Sequence, residues 1–290
     1  MDESSLPALP KSPSPAGGLA SGVTEIALEE TASTNAHALE LLKSGAAPPH
    51  LTLVWARRQT KGRGRGGRAW QSPEGNVFFS IILRPQADWG DLSQLPLVTA
   101  VATHAALRPH VPAARALTLK WPNDVLLDGA KVSGTLIESH RLIRSTDVDR
   151  WSAEALVVGI GVNVAHYPTE GLIYPAISLR QAGSAVERDQ VIRDLALALI
   201  EALELWRQRG FAPIRAAYLQ SAHGLGERIT VRTSLDLDES VSGVFEGIDE
   251  DGALLLRLAD GTVRRLVVGD VFFGDPRNAK KEMVWTPPTR

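Results

Sequence analysis

The stretch that most limits how this chain can fold is QTKGRGRGGRAW, Gln59 to Trp70, because of what stands on either side of it. Before it, LTLVWARRQ from Leu51 has the β-branched and aromatic content of a strand, and after it GNVFFSIILRP is a second apolar run of the same kind. Gly62, Gly64 and Gly67 fit the Gly-x-Gly-x-x-Gly pattern of a dinucleotide-binding turn. That turn needs a helix opening directly behind the glycines and an acid about 20 residues further on. Here Ser72-Pro73 and Gly75-Asn76 forbid a long helix, and the next element is a strand. The loop joins strand to strand, so the doubly wound reading fails on context.

The charge of the loop is as unusual as its place. From Arg57 to Arg68 there are six cations, four glycines and no acid, in a chain whose formal net charge is −2. Arg/Gly segments can take up RNA, but such sites usually sit in a basic domain, and this chain has a pI near 6.4. A plain solvated basic loop is the other alternative. Four glycines argue against it, because they lose backbone entropy to no purpose unless the backbone approaches a ligand or closes over one. Arginine forks match phosphate and carboxylate oxygens, and glycine amides can line the same concavity. The loop reads best as a cover for a polyanionic small molecule.

At 290 residues and 44% hydrophobic, the chain can bury one large core and a smaller one beside it. No uncharged apolar run approaches 18 residues, so no transmembrane helix is expected, and the acidic start MDESS lacks the apolar stretch of a signal peptide. With no cysteine there is no disulfide, thiol nucleophile or thiolate metal site, which fits a cytoplasmic setting. Residues 1–23, rich in Ser, Pro and Ala, read as a disordered tail, and 276–290 as a second one. Between them the texture divides at about Gly226. Residues 24–225 alternate strands with helices, including an amphipathic helix from Asp189 to Gln208 and a hairpin closed around Asp128-Gly129. Residues 226–275 are short strands with DEDG and ADG turns, as in a small β-barrel.

Three further stretches bear on chemistry. KWPNDVLL places Pro122-Asn123-Asp124 in a turn leaving a strand, just after Lys120 and Trp121. In KVSGTLIE, Lys131 points from a strand whose Gly134 leaves room for a ligand on the same sheet. In GIGVNV, Gly159 and Gly161 open space inside an apolar strand that ends at Asn163. Each has a plain structural explanation as well: core packing for Trp121, an Asx turn at Asn123 and Asp124, close sheet packing at the glycines.

Taken together and in order, GRGRGGRAW, KWPNDV, KVSGTLIE and GIGVNV, with Ser33-Thr34-Asn35 before them, resemble the signature of the biotin protein ligases. The resemblance spans residues 24 to 275 or so and includes Gly269-Asp270-Val271 near the end. It implies an α+β fold: a catalytic domain like those of class II aminoacyl-tRNA synthetases, an antiparallel or mixed sheet with helices behind it, followed by an SH3-like domain. It also implies a two-step reaction, in which biotin and ATP form biotinyl-5′-AMP and a lysine of a biotin carboxyl carrier protein then takes the biotin. Mg²⁺ would enter mainly on the ATP phosphates.

The resemblance assigns roles as follows. Ser33, Thr34 and Gln59 would hold the ureido end of biotin, with Asn35 supporting that turn. Arg63 and Arg65 would face the carboxylate and phosphates, near the Gly62 and Gly64 amides, and Lys131 would bridge carboxylate and α-phosphate as the main catalytic group with Arg65. Gly134 and Gly161 would wall the valeryl slot, Asn163 would hold ATP or its metal, and Trp70 would pack at the loop's base, against biotin or adenine or as part of the core. Thr135 departs from the family's usual aliphatic residue. The first twenty-odd residues cannot make a helix-turn-helix, so a ligase without sequence-specific DNA binding is expected. No membrane partner is implied, and a homodimer is left open. Lipoate ligases, which share the catalytic fold and a Lys-x-Ser-Gly strand, are the nearest rival, and a non-enzymatic RNA-binding module is the rival of another class.

Overall fold

The computed structural model describes residues 22–86, 89–144, 151–170, 172, 174–233 and 240–273. The two expected tails lie outside the described residues, apart from the few that border them. The larger sheet has seven strands: β1 (Thr24–Thr31), β2 (Thr52–Gln59), β3 (Val77–Leu83), β4 (Leu117–Lys120), β5 (Asp124–Leu127), β6 (Ala130–Arg144) and β7 (Trp151–Val162). Their order is β1-β2-β3-β7-β6-β5-β4. β1 and β2 run parallel, joined through helix α1 (Thr34–Lys43), and every other pair is antiparallel. The arginine-glycine loop therefore connects two antiparallel neighbours, β2 and β3, as its flanking sequence requires.

β3 shows why the centre of this sheet lacks a polar alternation. VFFSIIL is buried at all seven positions, because both faces are covered. Val77, Phe79 and Ile81 join the main core with helices α2 (Leu95–Leu107) and α3 (Arg188–Arg209), while Ile82 faces the other way, toward α1. The helices thus do not all lie behind the sheet. Ala38 and Leu42 of α1 pack on Val54, Ile82, Ala155 and Val157, which occupy the opposite face of the same central strands. A fourth helix, α4 (Ala212–Gln220), has no counterpart in the sequence reading. It buries only Ile214 and Tyr218, four residues apart, too few to show a period.

The hairpin between β5 and β6 turns at Asp128 and Gly129, both with positive φ, the pairing that a two-residue reversal of this hand needs. The second sheet holds β8 (Arg228–Arg232), β9 (Ser240–Ile248), β10 (Leu254–Arg257), β11 (Val263–Leu266) and β12 (Asp270–Phe272), all antiparallel in the order β11-β10-β9-β8-β12. It is the small SH3-like domain. One apolar core runs from the first sheet into the second, and the Trp121 indole N–H donates to the Gly252 carbonyl across the junction at 3.1 Å. Among the described residues no helix is long and apolar enough to cross a membrane.

Candidate active site

The site lies on the α1 side of the large sheet, where the central strands have lost their side chains. Gly134 of β6 stands opposite Gly161 of β7, and Leu136 opposite Gly159, so three glycines fall on one face of two paired strands. Beside them Phe78 of β3 completes the floor of a cavity of about 380 Å³. The glycines do not simply leave a ligand room. A Cβ on Gly161 would lie 2.6 Å from the Trp70 indole, one on Gly159 2.1 Å from Asn35 Oδ1, and one on Gly134 2.8 Å from Lys131 Nζ. Their first effect is to let three of the chain's own functional side chains lie flat against the sheet.

The first turn of α1 forms one end of the cavity. Ser33 is the N-cap by position, with extended backbone, yet its hydroxyl makes no cap bond and lines the cavity. Thr34 donates from its backbone N–H to Gln59 Oε1 at 2.8 Å, and its hydroxyl accepts from Ser80 at 2.7 Å. Gln59 in turn donates to Ser72 at 3.0 Å, so the end of β2 is tied to both α1 and the far side of the loop. Asn35 is buried and spends its amide on Ser80 Oγ, the Leu136 carbonyl and Glu138 Oε2. It supports the turn.

Lys131 reaches the cavity because of a β-bulge. Leu126 pairs with Lys131 but Val125 with Ser133, which leaves Val132 as the extra residue. Val132 goes into the core, and Lys131 comes round to the same face as Gly134. Its ammonium sits 2.6 Å from Asp124 Oδ1, while Lys120 sits 3.2 Å from Oδ2 of the same carboxylate. Burial would raise the Asp124 carboxyl, but Lys131 and Lys120 together hold it well below the usual carboxylate range. Burial pulls Lys120 down, and Asp124 partly restores it. The Lys120 ammonium also lies 3.6 Å above the centre of the Tyr174 ring, whose own hydroxyl is buried without a partner.

The arginine loop is a folded structure rather than a slack strap. Arg63 and Ala69 bridge as in a hairpin, Trp70 N–H donates to Gly62 O, and the turn at its tip carries positive φ at Gly66 and Gly67. Gly62 is not among the residues lining the cavity, and the Gly64 amide is spent on the Arg68 carbonyl at 2.7 Å. The Gly64 N–H and the Gly62 carbonyl are thus turned to the loop's own closure. The arginines are held over the cavity: Arg63 on Glu138 at 2.8 Å, Arg65 on Asn123 Oδ1 at 2.9 Å, and Arg68 on Asp270 at 3.3 Å. Asp270 belongs to the small domain and also receives Arg232 at 2.9 Å. Burial would raise its carboxyl, but Arg68 and Arg232 hold it below the ordinary range.

Asn163 is buried beside Lys131, its amide N–H groups donating to the Lys131 and Ile177 carbonyls. Trp70 lies on Gly161 with its indole N–H buried and unpartnered. Of the residues to which the resemblance assigns roles, only Gly62 stays off the cavity wall. Asp124, Asp270 and Tyr174 line it without having been assigned roles. The first two stood in stretches already marked, whereas Tyr174 carries no local signal. Thr135 is buried; its N–H donates to the Asn123 carbonyl and its carbonyl accepts from the Asn123 side-chain amide, bonds open to any residue at that position.

The site thus combines a mixed sheet, a glycine floor and arginines held over the cavity, Arg68 anchored on the appended β domain. Residues 28–171 match the Biotin/lipoate A/B protein ligase family, and residues 224–274 match the Biotin protein ligase C terminal domain. The chain belongs to the biotin protein ligase family. It is 41% identical over 256 residues to a biotin–[acetyl-CoA-carboxylase] ligase of Paracoccus denitrificans, covering 85% of this chain and 99% of the relative. A bifunctional ligase/repressor BirA of Bacillus subtilis is 35% identical, with 83% of this chain matching 71% of that protein. Among solved structures, a biotin protein ligase from Aquifex aeolicus in complex with biotin and ATP superposes with a TM-score of 0.70 at 30% identity, covering 86% of this chain and 97% of that one.

Proposed function

We propose that the protein activates biotin with ATP and transfers it to a lysine of a biotin carboxyl carrier protein. The observation that supports this best is the glycine-floored cavity with polar groups of α1 and Arg63 at one end and Lys131 with Arg65 and Arg68 at the other. An apolar chain with a ureido head and a carboxylate tail needs such a slot. Ser33, Thr34 and Gln59 hold the ureido group, and Asn35 keeps their turn in place.

In the first step a biotin carboxylate oxygen attacks the α-phosphorus of ATP, and pyrophosphate leaves. Two anions must meet, so the ground state is repulsive and cations fixed in a partly dry site lower the barrier. Lys131 bridges carboxylate and α-phosphate, while Arg65 and Arg63 take oxygens on either side. Trp70 and Asn163 border the nucleotide. Among the described residues no group of three His, Cys, Asp or Glu could cage a metal ion, and Asp124 and Asp270 are both spent on cations. Mg²⁺ enters with the triphosphate as part of the substrate, neutralising charge on the leaving group. In the second step the acceptor amine attacks the acyl carbonyl, AMP leaves, and the amine gives up a proton. The closed loop keeps water from the anhydride in between.

We place the reaction in the cytoplasm, with a carboxylase carrier domain as partner and no sequence-specific DNA. The lipoate alternative shares the family match over 28–171, but the small domain matches that of biotin ligases. The RNA alternative finds no support in either domain match, both of which are to ligase families. The test is to incubate the protein with MgATP and biotin, desalt it and examine it by mass spectrometry. Retained biotinyl-5′-AMP is expected. ATP hydrolysis without that adduct, or an adduct formed only with lipoate, would contradict the reading.

A further inference from the structure

Lys120 has no part in the mechanism above, yet among the described residues it is the one lysine withdrawn from water. It is 4% exposed, does not line the cavity, and reaches Asp124 Oδ2 from behind at 3.2 Å while Lys131 holds Oδ1 at 2.6 Å from the cavity side. An ammonium buried this deeply is stabilised only by matched charge, and here it has two sources: the Asp124 carboxylate and the π-face of Tyr174 at 3.6 Å. A neutral amine would gain little from either, so the geometry is that of a charged lysine.

The consequence is electrostatic. Were Lys131 the sole partner of Asp124, the two would form a neutral pair, and a ligand carboxylate or phosphate would have to compete with Asp124 for the ammonium. With Lys120 present, two ammoniums face one carboxylate, and one unit of positive charge is left over. It is expressed on the side open to the cavity, because Lys131 is about a quarter exposed and Lys120 is not. Nearby Asp270 does not cancel it, being matched by Arg68 and Arg232.

We propose that Lys120 is a positioning residue that acts through Asp124: it neutralises that carboxylate, so that Asp124 fixes Lys131 in place without consuming its charge for the anionic substrates. The inference rests on the reading that biotin and ATP occupy this cavity.

The test separates charge from packing. Biotin and its neutral alcohol analogue biotinol are titrated calorimetrically into the wild type and three variants: Lys120→Met, Lys120→Arg, and Lys120→Met combined with Asp124→Asn. One unit of charge removed from several ångströms away predicts about tenfold weaker biotin binding in Lys120→Met, with biotinol affinity unchanged and biotin affinity recovered in Lys120→Arg. The double variant leaves Lys131 as a lone cation again, and biotin affinity should return toward the wild type. It also buries no unpaired carboxylate, so it carries the test if the single variant folds poorly. Equal losses for biotin and biotinol, or a double variant weaker than the single one, would overturn the proposal. Wild type that binds biotin, with Lys120→Met unchanged, sinks this inference alone. Wild type that binds neither ligand sinks the functional reading and this inference with it.

Discussion

Gly159→Ala should be far more damaging than an added methyl group ordinarily is. The new Cβ would lie 2.1 Å from Asn35 Oδ1 and 2.8 Å from its Cγ, inside any tolerable contact. Asn35 has nowhere to withdraw, because its amide is buried and bonded to Ser80, the Leu136 carbonyl and Glu138. Expelling it forfeits three hydrogen bonds at roughly 1 kcal/mol net each, somewhat more for the one to a carboxylate. We therefore expect a loss of about 3–4 kcal/mol, which lowers the melting temperature by roughly 6–16 °C in a domain of this size. Because Asn35 follows Ser33 and Thr34 in the same turn, KM for biotin should rise while KM for ATP changes little. Thermal melts and initial rates at varied biotin measure both effects. Asn35→Ala added to Gly159→Ala removes the clash, so the pair should be less destabilised than the sum of the two single changes. Strict additivity, or a Gly159→Ala protein within 1 kcal/mol of the wild type, would refute the close approach.

Three more expectations follow from the cavity. Lys131→Ala removes a preorganised donor and should reduce adenylate formation by roughly 10²–10³, whereas Arg65→Ala should still form biotinyl-5′-AMP but release it, seen as biotin on the lysines of unrelated proteins. Pyrophosphate release should require Mg²⁺, ATP and biotin together, and release at the full rate without biotin would indicate a general nucleotidase. The Asp124 carboxyl is depressed in the folded state, so its stabilisation is complete above the unfolded carboxylate range and drains away as pH falls below about 4. Urea melts at pH 6 and pH 3 should accordingly show the gap between wild type and Asp124→Asn shrinking by about 1 kcal/mol.

The strand-to-strand setting of the loop was legible because Pro and Gly forbid the competing helix in so few residues. So were the Asp128-Gly129 turn and α3, whose patterns are strong and local. What the sequence hid depends on tertiary register. The glycines at 134, 159 and 161 announced open space, but only strand pairing shows Trp70, Asn35 and Lys131 lying in it. The bulge at Val132 that turns Lys131 toward the cavity has no marker in KVSGTLIE. Asp270 lies 202 residues from Arg68, and no spacing rule joins them. The place of α1 on the site face follows only from which alternate residues of the central strands it covers.

The central claim is that the glycine-floored cavity beneath the arginine loop is where biotin meets ATP. A crystal structure of the protein grown with biotin and MgATP tests it directly. The account predicts biotinyl-5′-AMP along the floor between β6 and β7, its ureido ring at Ser33 and Gln59 and its acyl-phosphate against Lys131 and Arg65. An intermediate bound elsewhere on the chain, or one in the cavity with its acyl-phosphate turned away from Lys131, would contradict it.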